Sequence, residues 1–98
     1  MIWQIQIHRL VLSEDFISIS KPDKEVILKT IRKKLSLNPE SYGKPLVGQF
    51  KGYWRLRIGD YRVIYRIVKN EVIVYVIKVG IRRNDRVYKE LLKRLDKV

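Results

Sequence analysis

The 98-residue chain has no cysteine, one histidine, and ten acidic side chains against 22 lysines and arginines. Without cysteine there is no disulfide, no thiolate metal site and no thiol nucleophile. With His8 alone, no pair of imidazoles can shuttle a proton. The carboxylates nowhere fall into a D-x-D or similar ligand spacing, so neither a metal nor another cofactor is expected. Nucleophile-elbow, Walker and dinucleotide-binding glycine motifs are missing as well. No apolar run nears the roughly 20 residues that span a bilayer, and the longest, residues 72–77, has the length of a strand. Arg9 and Glu14 interrupt the N-terminal apolar residues, and no small-residue cleavage site follows them. The expected compartment is therefore the cytoplasm, with no membrane partner.

What the chain does have is positive charge, a net +12, together with 46% hydrophobic residues. The second figure predicts a packed interior, in one domain over residues 1–98. The first calls for a polyanionic partner, either nucleic acid or an acidic protein.

Residues 53–65 organise the rest. They read Y-W-R-L-R-I-G-D-Y-R-V-I-Y. Trp54, Leu56 and Ile58 alternate with Tyr53, Arg55 and Arg57, so a strand here has one apolar and one cationic face. Gly59-Asp60 supplies a turn, and a second strand covers residues 61–68. Upstream, residues 1–8 form a strand and residues 10–19 a short helix. Ser20, Pro22 and Asp23 open a second helix that runs to Leu35 and is crowded with lysines. Residues 37–52 form a long connection, which Leu46, Val47 and Phe50 pin to the core. Lys69-Asn70 makes another turn. Residues 72–79 form a central strand covered on both faces, ended by Gly80. Asn84 or Asp85 caps a last helix carrying Val87, Leu91, Leu92 and Leu95. The fold class is α+β: a β-α-α-β-β-β-α two-layer domain. Its sheet is four-stranded and mainly antiparallel, with two N-terminal helices on one face and a C-terminal helix.

Two readings of the cationic face fit the pattern. Arg55, Arg57, Arg62 and Arg82 converge to hold phosphates, or they decorate a solvated sheet. Clustering, with only Asp60 and Glu71 nearby and both at turns, favours the first. Arg66 shares the parity of Arg62 and extends the patch or is an ordinary surface charge. Tyr61, Tyr65 and Tyr75 are expected to pack. Tyr88 either stacks on a base or belongs to the core. His8 is expected to be structural or exposed.

Over its whole length the chain resembles the RelE/ParE toxin superfamily, and its RelE branch more closely. The resemblance rests on the element order, on P-L-V-G-Q-F-K-G-Y-W-R-L-R-I-G-D-Y-R-V-I-Y-R-I, and on V-I-V-Y-V-I-K-V-G-I-R-R-N-D-R-V-Y. It implies a toxin of a type II toxin–antitoxin system, a metal-independent mRNA interferase that cuts mRNA in the ribosomal A site. The partners it implies are the ribosome, mRNA and a RelB-type antitoxin. The lysine-rich second helix, the arginine face and the C-terminal helix are candidate docking surfaces for that antitoxin. Arg55, Arg57, Arg62, Arg82 and Tyr88 match the family's catalytic positions, and Arg55, Arg57, Arg66, Lys78 and Arg83 would contact RNA. Arginines at positions 55 and 57 stand where lysine is common in the family, so no general base is assigned. The same scaffold admits two alternatives: a ParE-like inhibitor of DNA gyrase, or a non-catalytic member that binds RNA or its antitoxin.

Overall fold

The computed structural model describes residues 2–81 and 86–96. Ile5 and Ile7 alternate with exposed Gln4 and Gln6 in β1, Gln4–Ile7. The stretch expected to form a first helix makes a π turn, Val11–Asp15, followed by a 3₁₀ turn, Phe16–Ser18. Irregular apolar spacing there buries Val11, Asp15 and Phe16 without building a regular amphipathic helix. The Ser20 hydroxyl then accepts the Asp23 N–H at 3.4 Å and caps α1, Lys21–Thr30, with Pro22 in the first turn. A further π turn, Ile31–Leu35, carries the helical stretch to its predicted end.

The long connection is folded on itself. It holds α2, Pro39–Tyr42, a two-residue strand β2, Lys44–Pro45, and a 3₁₀ turn, Gly48–Phe50. Leu46 and Phe50 pack inward as expected, whereas Val47 is 82% exposed and pins nothing. β3, Tyr53–Ile58, and β4, Tyr61–Val68, pair antiparallel around Gly59-Asp60, and Gly59 takes φ +57°. That left-handed conformation is what glycine supplies in a two-residue hairpin. A 3₁₀ turn, Lys69–Glu71, leads to β5, Ile73–Ile81. The strand runs through Gly80 instead of ending there. The last helix is α3, Arg86–Leu95.

The sheet order is β1-β5-β4-β3-β2, parallel only between β1 and β5. The four expected strands are present, and β2 adds a fifth at the edge. One face packs Leu56, Val63, Tyr65, Val74, Val76 and Val79 against Ile27, Ile31 and Leu35 of the helical layer. On the other face, Ile64 and Ile77 pack against Val87 and Leu91 of α3. Both faces of β5 are thus covered, in line with its nearly continuous apolar sequence. The register slips between Ile64 and Tyr65, which pair with Lys78 and Val76 and leave Ile77 as an extra residue. This bulge puts Ile77 and Lys78 on the same side of the sheet, beneath α3. No helix among the described residues is long and apolar enough to cross a membrane.

Candidate nucleic-acid interface

Period-two alternation carries Arg55 and Arg57 of β3 and Arg62 and Arg66 of β4 to the α3 side of the sheet. In the ladder Arg57 stands directly opposite Arg62, Arg55 opposite Ile64, and Arg66 opposite Tyr53. α3 supplies the other half. Its buried stripe, Val87, Leu91 and Arg94, faces the sheet and places Tyr88 on the flank nearest the arginines.

The Tyr88 hydroxyl accepts hydrogen bonds from Arg55 Nη1 at 3.4 Å and from Arg62 Nη1 at 3.2 Å. The Arg62 guanidinium carbon lies 5.6 Å from the centroid of the Tyr88 ring, inside cation–π range. Phe50 closes the ring's surroundings, at 5.7 Å between centroids and 41° between planes. Arg62 is only 8% exposed, and its Nε has no hydrogen-bond partner among the described residues. An unsatisfied buried donor costs about 1–3 kcal/mol, and a phosphate oxygen is a fitting acceptor for it. With its oxygen already receiving two donors, Tyr88 has its own hydroxyl proton left to give.

Arg55, Arg62 and Tyr88 therefore meet, which is the first of the two readings that the sequence pattern left open. Arg57 and Arg66 are exposed on the same face. Arg82 and Arg83 lie outside the described residues. Lys78 is corrected: it is 4% exposed, and its ammonium is held by Asp15 Oδ1 at 2.9 Å and Glu90 Oε2 at 2.7 Å. The bulge turns it under α3, so its charge goes to internal carboxylates and not to a polyanion.

That ion-pair cluster escaped sequence reasoning, as did the contact of Phe50 with Tyr88. Asp15 Oδ2 also accepts Arg94 Nη1 at 2.6 Å and the Val79 N–H at 2.9 Å. The hydrogen bond from Lys78, with lesser help from Arg86, holds the Glu90 carboxyl below its ordinary range against the opposing effect of burial. One signal was available. Arg94 continues the Val87–Leu91 spacing into the buried stripe, and an arginine there requires a buried acid. His8 is buried and structural. Its Nδ1 accepts the Leu10 N–H at 3.1 Å. Burial first, then the charges of Arg9 and Arg94, push its pKa below the usual 6.5. Among the described residues no three His, Asp or Glu side chains are grouped to hold a metal ion.

A family profile described as "ParE toxin of type II toxin-antitoxin system, parDE" matches residues 13–86. A stretch of 41 residues is 42% identical to the mRNA interferase toxin RelE of Escherichia coli K12, covering 42% of this chain and 43% of that protein. The matched stretch thus spans less than half the length of this relative. The toxin–antitoxin complex RelBE2 from Mycobacterium tuberculosis superposes with a TM-score of 0.79 at 23% identity, over 84% of this chain and 93% of the other. The archaeal RelE–RelB complex from Pyrococcus horikoshii OT3 gives 0.65 at 26% identity, over 86% and 99%.

Proposed function

Since the chain belongs to the ParE toxin family of type II toxin–antitoxin systems, within the RelE/ParE superfamily, we propose that it is an mRNA interferase acting on ribosome-bound message. The observation that carries this reading is the Tyr88 hydroxyl shared by Arg55 and Arg62, beside a buried Arg62 Nε with no described partner. The match to a RelE named an mRNA interferase supports it.

RNA brings its own nucleophile. The ribose 2′-oxygen attacks the adjacent phosphorus, the bond to the 5′-oxygen breaks, and a cyclic phosphate and a free 5′-hydroxyl result. Charge grows on the non-bridging oxygens as the reaction proceeds. Guanidiniums fixed in advance stabilise that charge without reorganising. Arg62 takes this role, the family resemblance assigns Arg82 to it as well, and Arg55 and Arg57 add positive potential. Tyr88, its ring held by Phe50 and Arg62, stacks on a base and sets the line of attack. Its free hydroxyl proton is the one proposed to pass to the departing 5′-oxygen. Arg66 extends the track for the message, and Arg83 is carried over from the resemblance as a further RNA contact. Arginine stays protonated and cannot take the proton from the 2′-hydroxyl. That step falls to groups supplied by the ribosome or the message, which is why ribosome dependence fits this chain. No metal is assigned a part. A RelB-type antitoxin is the proposed neutralising partner, and masking or moving α3 would suffice, because α3 carries Tyr88. The proposed unit is one domain over residues 1–98, working in the cytoplasm.

The test is to add the protein to ribosomes stalled on a defined message and map the new ends. Cuts in the A-site codon, with free RNA spared, are expected. Intact message, or equal cutting of free RNA, overturns the reading. The match to a ParE family profile keeps open the alternative that the resemblance implies, inhibition of DNA gyrase. Loss of supercoiling activity that Tyr88→Ala leaves unchanged would establish it in place of the first.

A further inference from the structure

α3 carries Tyr88 on one flank and ionic anchors on the other. At about 100° per residue, Glu90 lies on the far side of the Val87–Leu91 stripe from Tyr88, and Arg94 at the edge of the stripe next to Glu90. Both anchors are bonded to groups outside the helix. Arg94 Nη1 reaches Asp15 Oδ2 at 2.6 Å and the Ile77 carbonyl at 3.3 Å. Glu90 Oε2 reaches Lys78 Nζ at 2.7 Å. Asp15 is where these links join, since the same carboxylate takes Lys78 at 2.9 Å and the Val79 N–H at 2.9 Å. Its side chain is 2% exposed. One acid from the turn before α1 thus fixes the last helix to the central strand.

The geometry points to Asp15 as the positioning residue for Tyr88, acting through Arg94, Lys78 and Glu90 to set the rotation of α3 on the sheet. The apolar contact of Val87 and Leu91 with Ile64 and Ile77 is non-directional, whereas the ion pairs fix a geometry. A helix about 10–12 Å across moves its rim by roughly 2 Å for a 20° turn. The hydroxyl of Tyr88 accepts donors at 3.2 and 3.4 Å, so such a shift breaks both contacts. A misplacement near 1 Å can cost roughly 10²-fold in rate. Buried ion pairs contribute little net stability but do specify one arrangement over its neighbours. Among the described residues the bonds of this network go to one another and to the strand backbone and not to Arg55, Arg62 or Tyr88, so its part in cleavage is indirect. The effect on turnover rests on the nuclease reading, whereas the effect on Tyr88 placement does not.

The experiment compares Asp15→Asn, Arg94→Met and Arg94→Lys with the unaltered chain, each shown to be folded by circular dichroism at the assay temperature. The protein is labelled with 3-fluorotyrosine, and the Tyr88 resonance is assigned by its loss in Tyr88→Phe. Asp15→Asn and Arg94→Met are expected to shift or broaden the Tyr88 fluorine signal. They should also lower the kcat of message cleavage by about 10- to 100-fold with KM unchanged. Arg94→Lys, which keeps a cation against Asp15, should restore both readouts most of the way. A folded Asp15→Asn protein with an unmoved Tyr88 signal overturns the inference. So does one with unaltered kcat. If the unaltered chain cuts no message at all, the nuclease reading falls, and the fluorine signal alone still decides whether Asp15 places Tyr88. Should Asp15→Asn not fold, Arg94→Met against Arg94→Lys decides on the same two readouts.

Discussion

Arg62 and Tyr88 are joined twice, by a hydrogen bond of 3.2 Å to the hydroxyl and by a guanidinium carbon 5.6 Å from the ring centroid. The first contact needs the oxygen and the second needs only the ring. Tyr88→Phe therefore separates them. It is expected to leave the fold and RNA binding intact while slowing message cleavage by about 10²-fold or more, in keeping with a lost proton donor. Tyr88→Ala loses the stacking surface too and should cost a further factor of about ten or more. Single-turnover cleavage on ribosomes measures both.

Lys78 and Arg66 are both basic strand residues, yet they should respond oppositely to truncation. Lys78→Met takes one of two cations from buried Asp15 and leaves Arg94 on it, so the loss should fall short of the roughly 3–5 kcal/mol of an uncompensated buried charge. Urea unfolding should show that loss. Arg66→Ala removes an exposed charge and should alter stability by less than about 0.5 kcal/mol. It should instead weaken RNA affinity and make the logarithmic salt dependence shallower by about one unit.

Gly80 lies where α3 approaches the sheet. A Cβ at this position meets Val87 Cγ2 at 2.9 Å. Gly80→Ala is expected to lift the first turn of α3, costing about 1–3 kcal/mol by overpacking. Since Tyr88 follows Val87 directly, cleavage should fall by more than the folded fraction does. Thermal unfolding and cleavage measured side by side check this.

His8 should make the protein sensitive to mild acid. Its folded pKa is lowered, chiefly by burial, so its contribution is present above pH 6.5 and lost as pH falls below that value. Protonation also removes the acceptor for the Leu10 N–H. The melting temperature should drop between pH 7 and 5. His8→Asn, which offers an acceptor that does not titrate, should flatten that decline. Below about pH 4.5 a second loss is expected, as Glu90 protonates and releases Lys78.

Period-two alternation in residues 53–68 was enough to place Arg55, Arg57, Arg62 and Arg66 on one face, because a hairpin with one buried face has a single register. The Ser20 cap and the Gly59-Asp60 turn were legible for the same reason: each is a local device with its own chemistry. Lys78 departs from the expectation because Asp15 and α3 cover it, and contacts so distant along the chain leave no mark in the local sequence. Gly80 reads as a strand breaker, but a neighbouring helix that needs the missing side chain overrides that propensity. The partners of Asp15 lie 63 and 79 positions along the chain, and separations of that size leave no local trace.

The extra residue at Ile77 has a bearing on how such chains can diverge. Deleting one position between Tyr75 and Gly80 would straighten the strand and trade the places of neighbouring side chains, so that a lysine would enter the oily layer and a valine would face the carboxylates. Spacing within those few positions should therefore tolerate change far less than side-chain identity does.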